Sequence, residues 1–123
     1  MLSYKDVYQS FQAVEGKYSI YAGSLRIKRQ QQADKYDRLA SVVRILAKNI
    51  PRKMESVDGA VPVNITKNQI TVQSRIPLDT LFRYFQTIIG EVEAYIRDHY
   101  GANGKKIVLE LKDYRITGAR NRL

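Results

Sequence analysis

The chain of 123 residues contains no cysteine, no tryptophan and a single histidine, and it has only three prolines. The lack of cysteine excludes disulfide bonds and thiolate catalysis, and it is compatible with a reducing cytosol. No apolar run approaches the length of a membrane span, and no signal-peptide pattern precedes the first charged residues. We therefore expect the protein in the cytoplasm, or inside a virion or host cell.

The residues of common catalytic and metal sites are also scarce. With one histidine and no cysteine, zinc sites and histidine-based catalytic triads lack their components. No phosphate-binding glycine loop of the GxxxxGK[ST] type is present. His99 falls in the last turn of a predicted helix, where the helix dipole favours a cation. The sequence thus predicts no catalytic residue, no metal and no cofactor, so we expect a protein that is not an enzyme.

Positive charge is abundant and unevenly distributed, with a formal net charge of +9. Residues 23–53 contain nine Lys or Arg against two Asp, which gives +7. Residues 105–123 contain six Lys or Arg against two acidic residues, which gives +4. Residues 78–100 contain two Arg against four acidic residues, which gives −2. This segregation favours a polyanionic partner, either a nucleic acid or an acidic protein surface.

Two helices are predicted in the N-terminal part, residues 1–53. Ser3, followed three residues later by an aspartate, resembles a capping box, and the apolar spacing after it predicts a helix that ends at Gly16. Periodicity does not decide between a connector, a small strand and a continuing helix for the segment that follows, over 16–24. Ser24 is a plausible N-cap for a second helix that ends before Pro51. The first three turns of that second helix have almost no apolar stripe, which is typical of a helix exposed to solvent or to a polar partner.

A β-hairpin is predicted next. Apolar residues alternate with other residues over 61–65 and again over 70–76, with Lys67-Asn68 as the tip between the two runs. Pro62 has no amide hydrogen to donate, so the first strand is expected at an edge of the sheet.

A long helix and a further strand complete the pattern. Pro77 suits the first position of a helix, apolar residues recur at spacings of three and four over 78–100, and Gly101 stands at the expected end. Alternation over 107–112 predicts the third strand. The succession of strand, helix and strand favours a right-handed parallel crossover, with the long helix on one face of the sheet and the N-terminal helices on the other.

These elements predict one domain of the α+β class. It comprises two N-terminal helices followed by a ββαβ unit over 61–116, in which a long helix packs on a small three-stranded mixed sheet, and a basic tail over 117–123. The order αββαβ resembles that of KH-like domains and of the ring-building modules of secretion machines. A resemblance of topology alone implies no function.

Two short motifs have structural interpretations that we prefer to functional ones. Gly101–Gly104 has the GxxG spacing of the loop with which KH domains clamp a nucleic-acid backbone, but here it joins a helix to a strand. A helix-ending glycine followed by an Asn-Gly turn explains it. Glu110 and Lys112, with Asp79, resemble in part the PD-(D/E)xK nucleases. A helix of over twenty residues intervenes, and alternating charges on an exposed strand face explain the pair.

The basic residues support our first hypothesis, a non-enzymatic protein that binds RNA or DNA through the phosphate backbone. The proposed contacts are Arg26, Lys28, Arg29, Lys35, Arg38, Arg44, Lys48, Arg52, Lys53, Lys105, Lys106, Arg120 and Arg122. Three consecutive glutamines over 30–32 could add hydrogen bonds to the backbone or bases. A solvated helix face that keeps the protein soluble explains the same residues equally well.

The second hypothesis is a structural or assembly subunit, of a viral or secretion-type particle, or a small inhibitor that docks on another protein. Nine tyrosines are many for this length, and five of them fall in the first 36 residues. Tyrosine side chains could stack on unpaired bases, but they suit protein interfaces equally well. On this hypothesis the basic residues pair with acidic surfaces of a neighbour, and copies of the chain could form a homo-oligomer.

Overall fold

A computed structural model describes residues 3–52, 60–101 and 107–116 and confirms the α+β class. The helices are α1 (Tyr4–Leu25), α2 (Gln30–Lys48), α3 (Lys67–Ser74) and α4 (Leu78–Tyr100). The strands are β1 (Ala60–Pro62), β2 (Val108–Leu111) and β3 (Tyr114–Ile116). Within the described ranges, no helix combines the length and the apolar character needed to cross a membrane.

Helix α1 begins as predicted but does not end at Gly16. The Ser3 hydroxyl accepts the Asp6 amide at 3.2 Å, and the Asp6 carboxylate accepts the Ser3 amide at 3.1 Å, which completes the capping box. Beyond Gly16 the helix continues for nine residues because its inner face still buries Tyr18 and Ala22. Tertiary packing thus overrides the weak helix propensity of a single glycine.

The start of α2 is consequently later than predicted. Ser24 lies within the last turn of α1, where its hydroxyl donates to the Tyr21 carbonyl at 3.0 Å instead of capping a new helix. A short turn follows over 26–29, and α2 begins at Gln30. The two helices therefore form an antiparallel hairpin joined by a basic turn.

The second strand of the predicted hairpin is wrong, because residues 67–74 form helix α3. The Thr66 hydroxyl accepts the Gln69 amide at 3.1 Å and the Gln69 side chain accepts the Thr66 amide at 2.9 Å, so a capping box starts the helix. Ile70 is its one fully buried residue, whereas Val72 is 75% exposed. The apolar alternation therefore did not mark one face of a strand, and the resemblance to KH-like topology is lost with it.

The end of α3 leads to our first prediction. Arg75 terminates the helix in the left-handed conformation, with φ of 61°, and donates its amide to the Thr71 carbonyl at 2.9 Å. Glycine adopts this conformation without the steric cost that a side chain imposes. Arg75→Gly is expected to raise the free energy of unfolding by about 0.5 to 1 kcal/mol, measured by urea denaturation. Gln73→Gly, in the body of the same helix, is expected to lower it; stabilisation by both variants would contradict this explanation.

The three strands form one mixed sheet in the order β1-β2-β3. β1 pairs with β2 in parallel, as the succession of strand, helix and strand predicted, and β2 pairs with β3 antiparallel. Pro62 lies on an edge strand, also as predicted. One row of residues across the sheet is buried: Val61, Leu109 and Ile116.

The opposite row of the sheet is not covered by the N-terminal helices, so that prediction is wrong. In this row Pro62 and Glu110 are half-buried and Arg115, which forms an ion pair with Glu110, is exposed. A single core contains the buried side chains of all four helices together with the buried row of the sheet. Because the core is continuous, α1, α2 and α4 lie on the same side of the sheet.

Helix α4 occupies the bounds predicted for it and contributes more large side chains to the core than any other described element. Leu81, Phe85, Ile88 and Ile89 are fully buried on its inner face. Gly101 ends the helix with φ of 124°, a conformation that side chains rarely adopt. The α1–α2 hairpin packs against α4, and its turn at 26–29 is exposed.

Candidate nucleic-acid interface

The N-terminus of α2 has no cap from any described side chain. Arg29 occupies the N-cap position, and the first turn contains no acidic residue. By contrast, α1 and α3 begin with capping boxes and α4 has Asp79 in its first turn. The first amides of a helix have no partner within the helix and carry the positive end of its dipole. The N-terminus of α2 therefore has the properties of an anion-binding position.

A shallow depression lies directly at this helix end. It has a volume of about 430 Å³ and is lined by Arg29, Gln30, Gln31 and Gln32, all of which are exposed. The Gln30 side chain donates to the Asp34 carboxylate at 2.8 Å, which orients it along the helix. Glutamine amides donate and accept hydrogen bonds, so they suit phosphate, sugar and base-edge contacts alike.

Four basic side chains surround the same helix end. Lys28 and Arg29 belong to the turn, Lys35 lies on the second turn of α2, and Arg26 begins the turn; all four are exposed. Arg26 forms an ion pair with Asp37 at 3.1 Å, but both side chains are about half exposed, so the pair holds Arg26 only weakly. We call Arg26, Lys28–Gln32 and Lys35 the basic tip.

Two other predicted contacts serve packing between helices instead. The Arg38 Nε atom donates to the Tyr84 hydroxyl of α4 at 3.2 Å. The Arg44 Nε atom donates to the Glu15 carboxylate of α1 at 3.0 Å. The structure therefore places these two guanidinium groups on the sides of the helix hairpin, each with an acceptor from another helix, and not in the basic tip.

The remaining predicted contacts are distant from the tip or lie outside the described residues. Lys48 and Arg52 are exposed at the opposite end of α2. The axial distance from Lys35 to Lys48 is about 20 Å, at 1.5 Å per residue. The predicted contacts that lie outside the described residues are Lys53, Lys105, Lys106, Arg120 and Arg122. The structure thus brings together four of the thirteen predicted residues in one place.

Three tyrosines join the two helices below the basic tip. The Tyr18 and Tyr36 ring centroids are 5.9 Å apart, and the Tyr21 and Tyr36 centroids are 5.3 Å apart with the rings edge to face. Tyr18 is buried, and its hydroxyl has no hydrogen-bond partner among the described residues. Burial raises the pKa of this hydroxyl well above its usual value. These rings hold the hairpin together, and Tyr21 alone among them is exposed enough to meet a partner.

The amides of the basic tip were missed by the sequence analysis. A helix with Ser24 as its N-cap, as the sequence predicts, has residues 30–32 in its interior, where their amides are bonded within the helix. The available sequence feature was an absence: no Ser, Thr, Asp or Asn occurs between Arg26 and Gln32 to cap a helix that starts there.

Comparisons of this chain with models of protein families, with curated proteins and with solved structures find no match. The function is therefore inferred from the site itself. The basic tip offers cations, helix amides and glutamine amides around an open depression. Such a set of groups is suited to binding anions.

Proposed function

We propose that the protein is a non-enzymatic nucleic-acid-binding protein that contacts phosphates through the basic tip. The observation that carries this proposal is the uncapped N-terminus of α2 with four exposed cations around it. A phosphate at this position receives hydrogen bonds from backbone amides and ion pairs from Arg and Lys at the same time. Few other anions in a cell present many phosphate groups in series, as a nucleic acid does.

A polymer explains the distribution of charge better than a single phosphate does. The basic tip and the pair Lys48 and Arg52 lie at opposite ends of α2, about 20 Å apart along its axis. One small anion cannot reach both, whereas a nucleic acid presents a phosphate at every nucleotide along its backbone. The net charge of +9 also attracts a polyanion from a distance and raises its rate of association.

Binding of this kind depends on the backbone more than on sequence. Each phosphate contact with Lys or Arg releases condensed counterions, which supplies a sequence-independent free energy. The glutamines over 30–32 would add hydrogen bonds to phosphates, sugars or base edges beside these contacts. The exposed depression is open, so it can accept either RNA or DNA. We expect this binding to take place inside a cell or a virion.

The alternative of an assembly subunit has one specific observation in its favour. Ile20 and Ile27 are 71% and 95% exposed, although isoleucine is among the residues most often buried. Contact with a protein would cover them. Such contact does not require a polyanion, so it should persist at salt concentrations that weaken nucleic-acid binding. The two functions can coexist on different surfaces of the α1–α2 hairpin.

The test compares two variants with the same change in net charge. Lys28→Gln, Arg29→Gln and Lys35→Gln together remove three cations of the basic tip. Because each lost phosphate contact lowers the salt slope by about 1, the slope of log affinity against log salt is expected to become shallower by about 3. Affinity for labelled single- and double-stranded RNA and DNA is measured by fluorescence anisotropy across a range of salt concentrations.

The control removes three exposed cations elsewhere, by Lys5→Gln, Arg83→Gln and Arg97→Gln combined. This control is expected to keep the slope of the unaltered protein, with a small uniform loss of affinity. Equal losses in both variants would show that net charge alone attracts the polymer and would refute an interface at the tip. Undetectable binding by the unaltered protein at low salt would refute nucleic-acid binding altogether.

A further inference from the structure

The outer face of α1 and the turn that follows it carry two isoleucines that alternate with two glycines. Gly16, Ile20, Gly23 and Ile27 follow one another at spacings of four, three and four residues, which places them in one row along a helix. All four are exposed, and the row lies opposite the face that buries residues into the core. The result is an exposed strip of ridges and gaps without a charged side chain in the row.

The strip continues past the last residue of α1. Arg26 has helical backbone angles, with φ of −60° and ψ of −33°, and the Arg29 amide donates to the Leu25 carbonyl at 2.7 Å. A bond from residue i+4 to residue i is the bond of an α-helix. This one bond closes a further turn of α-helical type over residues 26–28, which keeps Ile27 near the row formed by Gly16, Ile20 and Gly23.

Packing within the chain does not account for the glycines. A Cβ atom added at Gly16 or Gly23 would meet no atom within 4 Å, so neither position needs a glycine for close contact inside the protein. Each glycine in a helix destabilises it by about 0.5 to 1 kcal/mol relative to alanine. Two such residues in one exposed row, each beside an exposed isoleucine, form gaps that fit the side chains of another helix.

We propose that this strip is the contact surface of a homodimer in which two copies of α1 pack antiparallel about a two-fold axis. The spacings four, three and four read the same from either end. A two-fold axis midway along the strip therefore brings each isoleucine opposite a glycine of the second copy. Such an isologous contact uses the same surface on both copies and closes on itself.

The antiparallel arrangement is favoured over the parallel one by packing. Parallel helices in register would place isoleucine against isoleucine and glycine against glycine, which leaves voids beside the glycines. Protein contacts at the density of an interior avoid such voids, and they alternate large with small residues across the interface. In the antiparallel pair, Ile20 fills the gap at Gly23 of the second copy, and Ile27 fills the gap at Gly16.

The charges that flank the strip allow two copies to approach. Lys17 and Ser24 border one side and Ser19 and Arg26 border the other. In the antiparallel pair each cation faces a serine of the second copy and not another cation. Lys17 is also paired within its own chain with Glu91, whereas Arg26 has only its weak, half-exposed pair with Asp37. Charge repulsion at the strip is therefore small, although the protein has a large positive net charge.

Repulsion between the two basic turns is small in this arrangement. The axis lies between residues 21 and 22, so the two copies of Lys28 are about 20 Å apart along the helix pair. This distance exceeds the Debye length of about 8 Å at physiological ionic strength, and the repulsion is screened. The strip is about 16 Å long and covers less than the roughly 800 Å² per partner of a standard interface, so we expect a micromolar dimer.

The test measures self-association of the full chain after nuclease treatment. Sedimentation velocity in high salt, over concentrations from about 10 µM to about 1 mM, is expected to show a monomer–dimer equilibrium. Gly23→Leu fills the gap, and Ile20→Gln removes a ridge, so each is expected to raise the dimer Kd at least about 30-fold. Val72→Gln removes an exposed apolar side chain from α3 and is expected to leave Kd unchanged.

Folding of the variants and the orientation of the helices are checked separately. Since a side chain at Gly23 meets nothing within the monomer, Gly23→Leu is expected to melt at or above the temperature of the unaltered chain. The chain has no cysteine, so Lys28→Cys carries a single spin label, and electron spin resonance should give about 20 Å between labels. A distance near 10 Å would indicate parallel helices and overturn the arrangement.

A chain that stays monomeric to about 1 mM, or a dimer whose Kd does not change with Gly23→Leu and Ile20→Gln, would overturn the proposal.

Discussion

Replacing Phe85 by alanine is expected to lower the free energy of unfolding by about 3 to 5 kcal/mol. Phe85 lies in the N-terminal half of α4, is fully buried, and belongs to the core that joins helices and sheet. Its removal loses the burial of a ring and leaves a cavity that neighbours from several elements would have to fill. Urea denaturation followed by circular dichroism gives the difference.

Phe82, three residues earlier on the same helix, supplies the matched control. It is half-buried and stacks on Tyr114 of β3, with ring centroids 5.1 Å apart. Phe82→Ala deletes the same atoms at the margin of the core, so a clearly smaller loss is expected. Since the free energy of unfolding of such domains is about 5 to 15 kcal/mol, Phe85→Ala is expected to remove a large part of it. Equal losses at the two positions would mean that the core is not centred on α4.

Raising the salt concentration from 50 to 200 mM is expected to weaken nucleic-acid binding about 150-fold, if the four cations of the basic tip each contact a phosphate. Each contact contributes about −0.9 to the slope of log affinity against log salt, so four give about −3.6. The effect is large because the proposed contacts are ionic and exposed. Fluorescence anisotropy with one labelled oligonucleotide at several salt concentrations measures the slope directly.

A peptide nucleic acid with the same bases serves as the control for that experiment, because its backbone carries no phosphate. It is expected to bind too weakly to detect at any salt concentration. A tight complex with this uncharged ligand, or a slope near zero with the oligonucleotide, would show that base stacking or apolar contacts dominate. Either result would move the interface from the basic tip to the tyrosines or to another surface.

The most predictable part of the fold is its longest element, helix α4. Residues 78–100 contain apolar side chains at helical spacing over more than six turns, with Pro77 before and Gly101 after them. Over such a length the helical period cannot be confused with alternation. The parallel pairing of β1 with β2 then followed from the order of the elements.

Shorter segments were misassigned because their apolar residues were few. In α3 one buried residue, Ile70, decides the packing, and an eight-residue segment fits both periods. The Thr-x-x-Gln pattern of Thr66 and Gln69, which forms the reciprocal cap, is present in the sequence. It favours a helix over a strand for residues 67–74. For α1, Gly16 suggested an end that the buried side chains beyond it overrode.

The charges of the candidate site were predictable, but their arrangement was not. Sequence analysis located the basic residues of the N-terminal half on a single long helix. In the folded chain, a turn separates Arg26 from α2, and Arg38 reaches Tyr84, which is 46 residues away in sequence. Contacts of this kind depend on which helices become neighbours, and neither composition nor spacing contains that information.

The dimensions of the small sheet also restrict how copies of this protein can associate. In the part of the chain that the structure describes, its two outer strands, β1 and β3, are three residues long, and Pro62 removes an amide donor from the first of them. A sheet edge recruits another chain through a row of unpaired amides and carbonyls, and rows this short offer very little to a passing strand. Edge-to-edge pairing of sheets from different molecules, which can lead to fibres, is thereby disfavoured.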